Sequence, residues 1–204
     1  MKGKHSSFFW ISYSDLMISL FFVMLVLFVL ANMKAVKNYK ELEQISESID
    51  EIAGEYFEYD PKKRNFSLKV DTIKFKTASA EFSKGAEKHL VLAGKELSEK
   101  IKYLEKKYKD KGFDVRYTII LEGMSSYDAK IGDTWTNYQY SYERAWQVKQ
   151  LWNNNKIDFG KNTEIQISGT GIEGLSMIEP KKSVENQKVL IHVIPKIGKF
   201  KVEK

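Results

Sequence analysis

Cysteine is absent from this 204-residue chain, and histidine and proline are scarce. Without cysteine there is no disulfide framework, thiolate metal site or thiol nucleophile. The three histidines, His5, His89 and His192, lie far apart and show no metal-ligand spacing, which argues against a zinc site. No nucleophile–base arrangement, Gly-rich phosphate loop or carboxylate pair stands out, so we expect neither an enzyme nor a bound cofactor.

Charge is nearly missing from one long N-terminal segment. Between Ser6 and Met33 the only charged side chain is Asp15, whereas lysine and glutamate are frequent from Lys34 onward. The formal net charge of +6 is spread along the chain, and no nucleic-acid recognition motif accompanies it. The contrast predicts a hydrophobic segment followed by one domain of ordinary size.

The segment that follows Asp15 is long enough to enter a bilayer. Eighteen uncharged residues separate Asp15 from Lys34, which corresponds to about 27 Å of helix. Apolar residues before Asp15 extend this to the roughly 20 residues that a bilayer requires. A cleaved signal peptide is the alternative, but the long apolar stretch and its carboxylate favour a retained anchor. Lysines on both sides of the segment leave its orientation undecided.

Asp15 is the most informative residue of this segment. An ionisable group within a membrane span usually faces a bundle interior or an ion path. Helical spacing places Ser12 and Ser19 on the face of Asp15, at i−3 and i+4. The pattern predicts one polar stripe at a partner interface where an ion is passed. The alternative is that Asp15 caps a helix at the headgroup boundary, beside Ser14.

A short amphipathic segment links the predicted span to the rest of the chain. From Leu42 onward, apolar residues recur with 3-4-3 spacing over fewer than three heptads. The pattern predicts a helix that either pairs with a second copy or lies on its own domain or on lipid. Gly54 and the Asp60-Pro61 step end this helix. We therefore predict three regions: a tip with the transmembrane helix (1–33), a connector helix (34–60) and a C-terminal domain (61–204).

The C-terminal domain shows alternating strand and helix patterns. Ser83 is placed as the N-cap of its first helix. The order β-α-β-α-β-β predicts an α+β sandwich with helices on one face of the sheet. The predicted elements are a strand at 66–75, a helix from 83 to about 104, a strand at 115–121, a helix at 138–154, and strands at 164–167 and 188–194.

Motifs in this domain resemble those of the OmpA-like peptidoglycan-binding family. That family's pattern is Gly-His-Thr-Asp, then Asn-x-x-Leu-Ser-x-x-Arg-Ala, then a Gly-x-Gly turn and Asn-Arg-Arg-Val. Asn137, Ser141, Arg144 and Ala145 match the second motif at its spacing, and Tyr140 replaces the leucine. The resemblance covers roughly residues 66–195. The later motifs are matched by Gly169, Gly171, Asn186 and Val189.

The OmpA-like resemblance implies a binding role for Arg144. In that family this arginine holds the carboxylate of the diamino acid in the peptidoglycan stem peptide, and a bidentate guanidinium–carboxylate pair suits that role. The family's aspartate, which holds the ligand's ammonium group, falls at Ser126 here; Asp128 or Asp133 are candidate substitutes. The alternative for Arg144 is a surface position on a helix. The implied binding set is Arg144, Asn137, Tyr140, Ser126, Asp128 and Asp133.

Several aromatic residues surround these motifs. Contact with glycan and ordinary packing are both open interpretations for them. They are Tyr127, Trp135, Tyr138 and Tyr140.

The N-terminal sequence carries a second resemblance. The segment Trp10-Ile-Ser-Tyr-Ser-Asp15-Leu-Met is similar to the signature of MotB-type stator subunits, in which the aspartate carries the transported ion. A span followed by an OmpA-like domain is the architecture of MotB and of ZorB, the motor subunit of Zorya anti-phage systems. The resemblance implies transported H⁺ or Na⁺ and two copies within a pentamer of a multi-span MotA/ZorA-like partner.

These resemblances also imply a location and an output. The C-terminal domain is expected in the periplasm and the N-terminus in the cytoplasm, with one pass through the bacterial inner membrane. The compact length, the unbroken apolar run and the altered ligand loop favour a ZorB-like subunit of a defence system. The alternatives are a flagellar MotB-type stator and a static tether between the inner membrane and peptidoglycan.

Overall fold

The computed structural model describes residues 4–47, 51–62, 65–68, 75–76, 79–127, 134–174, 176–180 and 183–197. The chain forms two compact units, Met1–Ile45 and Ser46–Lys204. The first unit is helical and the second contains a mixed sheet with two long helices. The α+β class expected from the sequence is confirmed.

Helix α1 (Lys4–Glu47) is uninterrupted. Neither glycine nor proline occurs within it, so no residue removes a hydrogen bond or loosens the backbone. Its segment Phe9–Lys37 contains an 18-residue stretch with a mean hydropathy of 2.6 and is long and apolar enough, by length and composition, to cross a membrane. The amide of Asn32 donates to the Phe28 carbonyl at 2.9 Å, so this polar group is satisfied within the helix. The helix continues through residue 34, so the predicted boundary between transmembrane helix and connector lies inside one continuous helix.

The second unit is built on a five-stranded sheet. Its strands lie in the order β1-β2-β5-β3-β4. The neighbours β3 and β4 are parallel, and the other three neighbouring pairs are antiparallel. The strands are β1 (Phe57–Asp60), β2 (Asn65–Leu68), β3 (Val115–Gly123), β4 (Thr163–Gly169) and β5 (Val189–Ile197).

Strand β1 differs from the sequence prediction, which assigned residues 57–60 to the connector helix. Phe57 and Phe66 are fully buried and their rings meet edge to face, so the β1–β2 hairpin contributes to the core of the domain. Too short to alternate visibly, β1 has no clear sequence pattern of its own. Residues 69–74 of the predicted strand 66–75 lie outside the described residues.

Helix α2 (Ala86–Lys109) buries an apolar face that includes Leu90, Leu97 and Ile101. It begins later than predicted: its N-cap is Gly85, with φ 89°, and no side chain caps it. Ser83 instead closes the preceding turn, since its carbonyl accepts from Ala86 N at 3.1 Å. Glycine adopts this left-handed backbone without steric cost, which explains its use where the chain enters the helix.

Helix α3 (Thr134–Asn154) is the crossover between the parallel strands β3 and β4. It lies very close to the sheet, because a Cβ at Gly123 would be 1.7 Å from the Ser141 carbonyl oxygen. Trp152 is buried, and its indole N–H donates to the Leu90 carbonyl at 2.9 Å, which joins α3 to α2. The start of α3 is therefore held at the carboxyl ends of β3 and β4, where open α/β sheets commonly bind ligands.

Substitution of Gly123 by alanine tests this close approach. Gly123→Ala is expected to lower the free energy of unfolding by about 2–3 kcal/mol, because the backbone of α3 must move away from β3. Gly54→Ala is the control: its Cβ would also be 1.7 Å from an oxygen, but that oxygen ends the Glu96 side chain, which can rotate away at the cost of its hydrogen bonds from Glu55 N and Tyr56 N, so a smaller loss is expected. Chemical denaturation of both variants measures the difference, and equal losses would contradict the packing argument.

Candidate functional site

Asp15 lies well inside α1, about three turns after its first residue. This position rules out the alternative in which Asp15 caps the helix. Ser12 and Ser19 share its helical face, as predicted, and the whole segment from residue 9 to 37 is exposed in the isolated chain. A shallow groove beside the carboxylate is lined by Trp10, Ile11, Ser12, Ser14, Asp15 and Ile18.

Arg144 lies on the sheet-facing side of α3 and is 1% exposed. Its Nε and one terminal nitrogen donate to the Ser79 carbonyl at 3.1 and 3.0 Å, and the other terminal nitrogen donates to the Met124 carbonyl at 2.8 Å. The guanidinium carbon lies 5.2 Å from the centre of the Phe75 ring, within the range of a cation–π contact. The alternative of a surface arginine is therefore wrong.

The guanidinium group of Arg144 is hydrogen-bonded to neutral groups. Burial lowers the pKa of its guanidinium to about 10, so the side chain stays cationic at neutral pH. Its three hydrogen bonds go to two backbone carbonyl oxygens, and no carboxylate pairs with it in the part of the chain that the structure describes. A guanidinium has five N–H donors, and these contacts leave two of them for an anion. A buried cation gains most from a desolvated anionic partner.

Ser125 and Ser126 follow Met124 along the chain, and their side chains are hydrogen-bonded near the carboxyl end of β3. Ser125 Oγ donates to Asn137 Oδ1 at 3.1 Å, and Gln187 Nε2 donates to Ser126 Oγ at 2.7 Å. All four side chains are at least nine-tenths buried. The structure thus brings Arg144, Asn137 and Ser126 to one edge of the sheet, as the motif resemblance implied.

The remaining predicted site residues divide into two groups. Tyr140 is half-buried on α3, one turn before Arg144, and its phenol raises the pKa of Arg144 against the larger effect of burial. Asp128 and Asp133 lie outside the described residues. Sequence reasoning missed Gln187 and the Ser79 carbonyl, because each reaches the site from a distant part of the chain.

The turn that follows β4 is hydrogen-bonded to Ser125, just after β3, and to Ser141 in α3. Gly171, with φ 56°, accepts from Ser125 N at 2.9 Å through its carbonyl, and its own N–H donates to Ser141 Oγ at 3.0 Å. A Cβ at Gly171 would lie 3.1 Å from the Tyr138 ring. The glycine therefore allows the turn to connect β3 with the start of α3.

The half-buried carboxylate of Glu122 is hydrogen-bonded to Thr170, in the same turn after β4. Glu122 Oε2 lies 2.5 Å from His192 Nε2, and Glu122 Oε1 accepts from Thr170 Oγ1 at 2.9 Å. The hydrogen bond from His192 lowers the pKa of Glu122, burial opposes this, and the bond from Thr170 adds to the lowering. Sequence analysis missed this cluster, since only the β3–β5 register brings Glu122 near His192.

Comparison with known proteins finds similar folds but no matching family model and no matching curated protein. The periplasmic domain of Helicobacter pylori MotB is 14% identical, with a TM-score of 0.44, over 68% of this chain and 87% of that one. The OmpA-like domain of FopA1 from Francisella tularensis is 17% identical, with a TM-score of 0.40, over 70% and 82%.

A third solved structure spans more of the chain. A putative MotB-like protein from Desulfovibrio vulgaris is 13% identical, with a TM-score of 0.39, over 80% of this chain and 96% of that one. At such identities the likeness concerns the arrangement of helices and strands. Roles of individual residues are argued below from their own contacts.

The lowered pKa of Glu122 predicts a pH dependence of stability. A carboxylate with a lowered pKa in the folded state stabilises the fold above its ordinary pKa of 4.5, and this contribution is lost as pH falls through the lower folded-state value. The difference in unfolding free energy between the wild type and Glu122→Gln is therefore expected to be largest above pH 5 and to narrow in acid. Denaturation curves at pH 7 and in acid measure it.

The control for this prediction is Glu164→Gln, which changes an exposed carboxylate on the neighbouring strand β4. Its difference from the wild type is expected to stay the same over that pH range. A Glu122→Gln difference that stays constant with pH would contradict the role given to the His192 bond.

Proposed function

We propose that this chain is the membrane-anchored B-type subunit of a proton- or sodium-driven rotary motor. Asp15 carries the transported ion, and the Arg144 edge of the C-terminal domain holds the complex to peptidoglycan. The observation that carries the proposal is the position of Asp15, in the interior of a long apolar helix with Ser12 and Ser19 on its face. The remaining features of the chain agree with this role.

An aspartate in this position has a cost that a partner must offset. A charged side chain near the centre of a span costs about 2.5–3.5 kcal/mol on insertion scales. Neutralisation by a proton or pairing with Na⁺ removes most of that cost, so the ion and the carboxylate favour each other. Moving one charge through the membrane potential supplies about 2.3 kcal/mol per 100 mV, which is enough to drive a conformational step.

The surroundings of such an ion site come from other chains. Every described residue of α1 from 9 to 37 is exposed, and the surface around the polar stripe is formed by Leu, Phe and Val. Two copies of this chain within a pentameric ring of a multi-span MotA/ZorA-like partner supply the enclosure that Asp15 requires. Water then reaches the carboxylate only through the partner, which couples ion passage to movement of the ring.

The anchoring role is supported by the chemistry around Arg144. Its charge is buried, its acceptors are neutral carbonyls, and two guanidinium N–H groups remain for an anion. A carboxylate of a peptidoglycan stem peptide is a suitable ligand, because a planar guanidinium binds a carboxylate through two parallel hydrogen bonds. Anchoring to the wall requires the C-terminal domain to lie in the periplasm and the N-terminus in the cytoplasm.

The output of the motor is proposed to be ZorB-like, that is, part of an anti-phage defence system. The neutral Ser126–Gln187 pair, where the OmpA-like family has an aspartate, supports this assignment over a flagellar stator. A static tether to the wall is the second candidate, and Arg144 supports it as well as it supports a motor. Asp15 separates the two, since a tether has no use for a carboxylate in its span.

Replacement of Asp15 by asparagine tests ion carriage. Asp15→Asn is expected to abolish ion-dependent function, because the neutral amide neither accepts a proton nor pairs with Na⁺, while expression and membrane insertion persist. Asp15→Glu is the matched control and is expected to retain part of the function. Phage protection or motility in cells, with membrane fractionation, provides the measurement. Full activity of Asp15→Asn would leave only the tether.

Replacement of Arg144 tests wall binding. Arg144→Lys keeps the positive charge but loses the planar fork, so affinity for stem peptides is expected to fall by about tenfold or more. Arg116→Lys, at an exposed position on β3, is the control and is expected to bind as the wild type does. Sedimentation with purified peptidoglycan measures binding.

A melting curve separates binding from folding in this test, because Arg144 also holds the Ser79 and Met124 carbonyls. Weaker binding at an unchanged melting temperature assigns Arg144 to the ligand. Wild-type affinity in Arg144→Lys would instead make Arg144 a purely structural residue.

A further inference from the structure

The outward face of α3 carries three exposed aromatic rings. Trp135, Tyr142 and Trp146 are 72%, 49% and 42% exposed. They are spaced at i, i+7 and i+11, so they lie within about 20° of one line along the helix. The rings of Tyr142 and Trp146 are separated by about 6 Å of helix rise, and those of Trp135 and Tyr142 by about 10 Å.

Amide side chains lie between and beside these rings. Gln139, Gln150 and Asn153 are at least partly exposed on the same sector of the helix, at spacings of four, eight or eleven residues from a ring. The two charged side chains at its border are already engaged: Glu143 accepts from Gln139 at 2.9 Å, and Lys149 donates to the Ile165 carbonyl at 2.8 Å. The face therefore presents flat apolar rings alternating with neutral hydrogen-bonding groups.

This chemistry matches one kind of occupant better than others. A lipid surface is bound by aliphatic and aromatic residues flanked by Lys or Arg on the polar side, and this sector has neither aliphatic residues nor a free cation among the described residues. A sugar ring has one apolar face of C–H groups, which stacks on an aromatic ring, and a rim of hydroxyls, which bond to amides. An exposed apolar patch that is bordered by polar groups marks an interaction surface.

We propose that the outward face of α3 is a glycan-binding platform on which sugar rings of a cell-wall polysaccharide stack. The rings of Tyr142 and Trp146 support successive sugars, and Trp135 extends the row towards the end of α3 that adjoins Ser125 and Asn137. The inference rests on the proposed wall-binding function and adds to it a subsite for the polysaccharide backbone. One helix then presents Arg144 on its inner side and the platform on its outer side.

The test uses the full-length chain in detergent micelles and two separate probes. The first probe is peptide-free glycan strands, prepared from purified peptidoglycan by amidase digestion. The second is the free stem peptide. Binding is measured by calorimetry for the wild type, for Tyr142→Ala combined with Trp146→Ala, and for the control Tyr103→Ala. Tyr103 is 56% exposed on α2, so its replacement removes one exposed aromatic ring away from the platform.

The platform predicts that glycan strands bind the wild type and that the double variant weakens this binding by about tenfold or more, equivalent to about 1.4 kcal/mol. Stem-peptide affinity is expected to stay unchanged in the double variant, and Tyr103→Ala is expected to leave both affinities unchanged. Circular dichroism checks the fold. If the double variant melts early, the single variants Tyr142→Ala and Trp146→Ala replace it.

Three outcomes overturn the inference. They are no binding of glycan strands by the wild type, equal weakening by Tyr103→Ala, and unchanged glycan affinity in the double variant. In the last case an altered oligomeric state would assign the face to a second copy of the chain, and altered binding to phosphatidylglycerol vesicles would assign it to lipid. The proposed function fails separately, if the wild type does not bind the stem peptide or if Arg144→Lys binds it normally. Glycan binding without stem-peptide binding would leave the platform standing and remove the role of Arg144.

Discussion

The close contact between Gly123 and the Ser141 carbonyl is the constraint on which the candidate site of the second unit depends. A side chain at position 123 would push α3 away from the sheet. With glycine there, the start of α3 lies against the ends of β3 and β4, and Arg144 reaches the Met124 carbonyl just beyond β3. The turn at Gly171 closes the same edge through Ser125 and Ser141. The position of the arginine and its hydrogen bond to Met124 therefore depend on that packing.

Asp15 and Arg144 share one physical property, although they lie in different units. Each is an ionisable group in surroundings that do not favour its charge: a carboxylate in an apolar helix and a guanidinium surrounded by neutral carbonyls. Such groups persist in proteins mostly where a ligand or an ion uses them. The proposed function assigns each one an opposite charge from outside the chain, an ion for Asp15 and a carboxylate for Arg144.

Much of the fold follows from local patterns. The long helices and the strands β3, β4 and β5 were predicted because their apolar residues recur over many positions. Strand β1 and the glycine cap of α2 were not, since four residues show no period and a cap depends on the turn before it. Arg144 was predicted from its motif, but its buried state was left open. The Glu122–His192 pair, formed by residues far apart in the chain, had no local signal at all.

The sequence by itself determined the apolar helix, its single carboxylate and the motif spacing around Arg144, because these depend on residues that are neighbours along one element. The tertiary structure decided which of those residues meet. It buried Arg144 against Ser79 and Phe75, placed Gln187 on Ser126, and left the aromatic row of α3 exposed. These contacts join segments separated by many residues, and only the folded sheet, with α3 packed on Gly123, brings them within bonding distance.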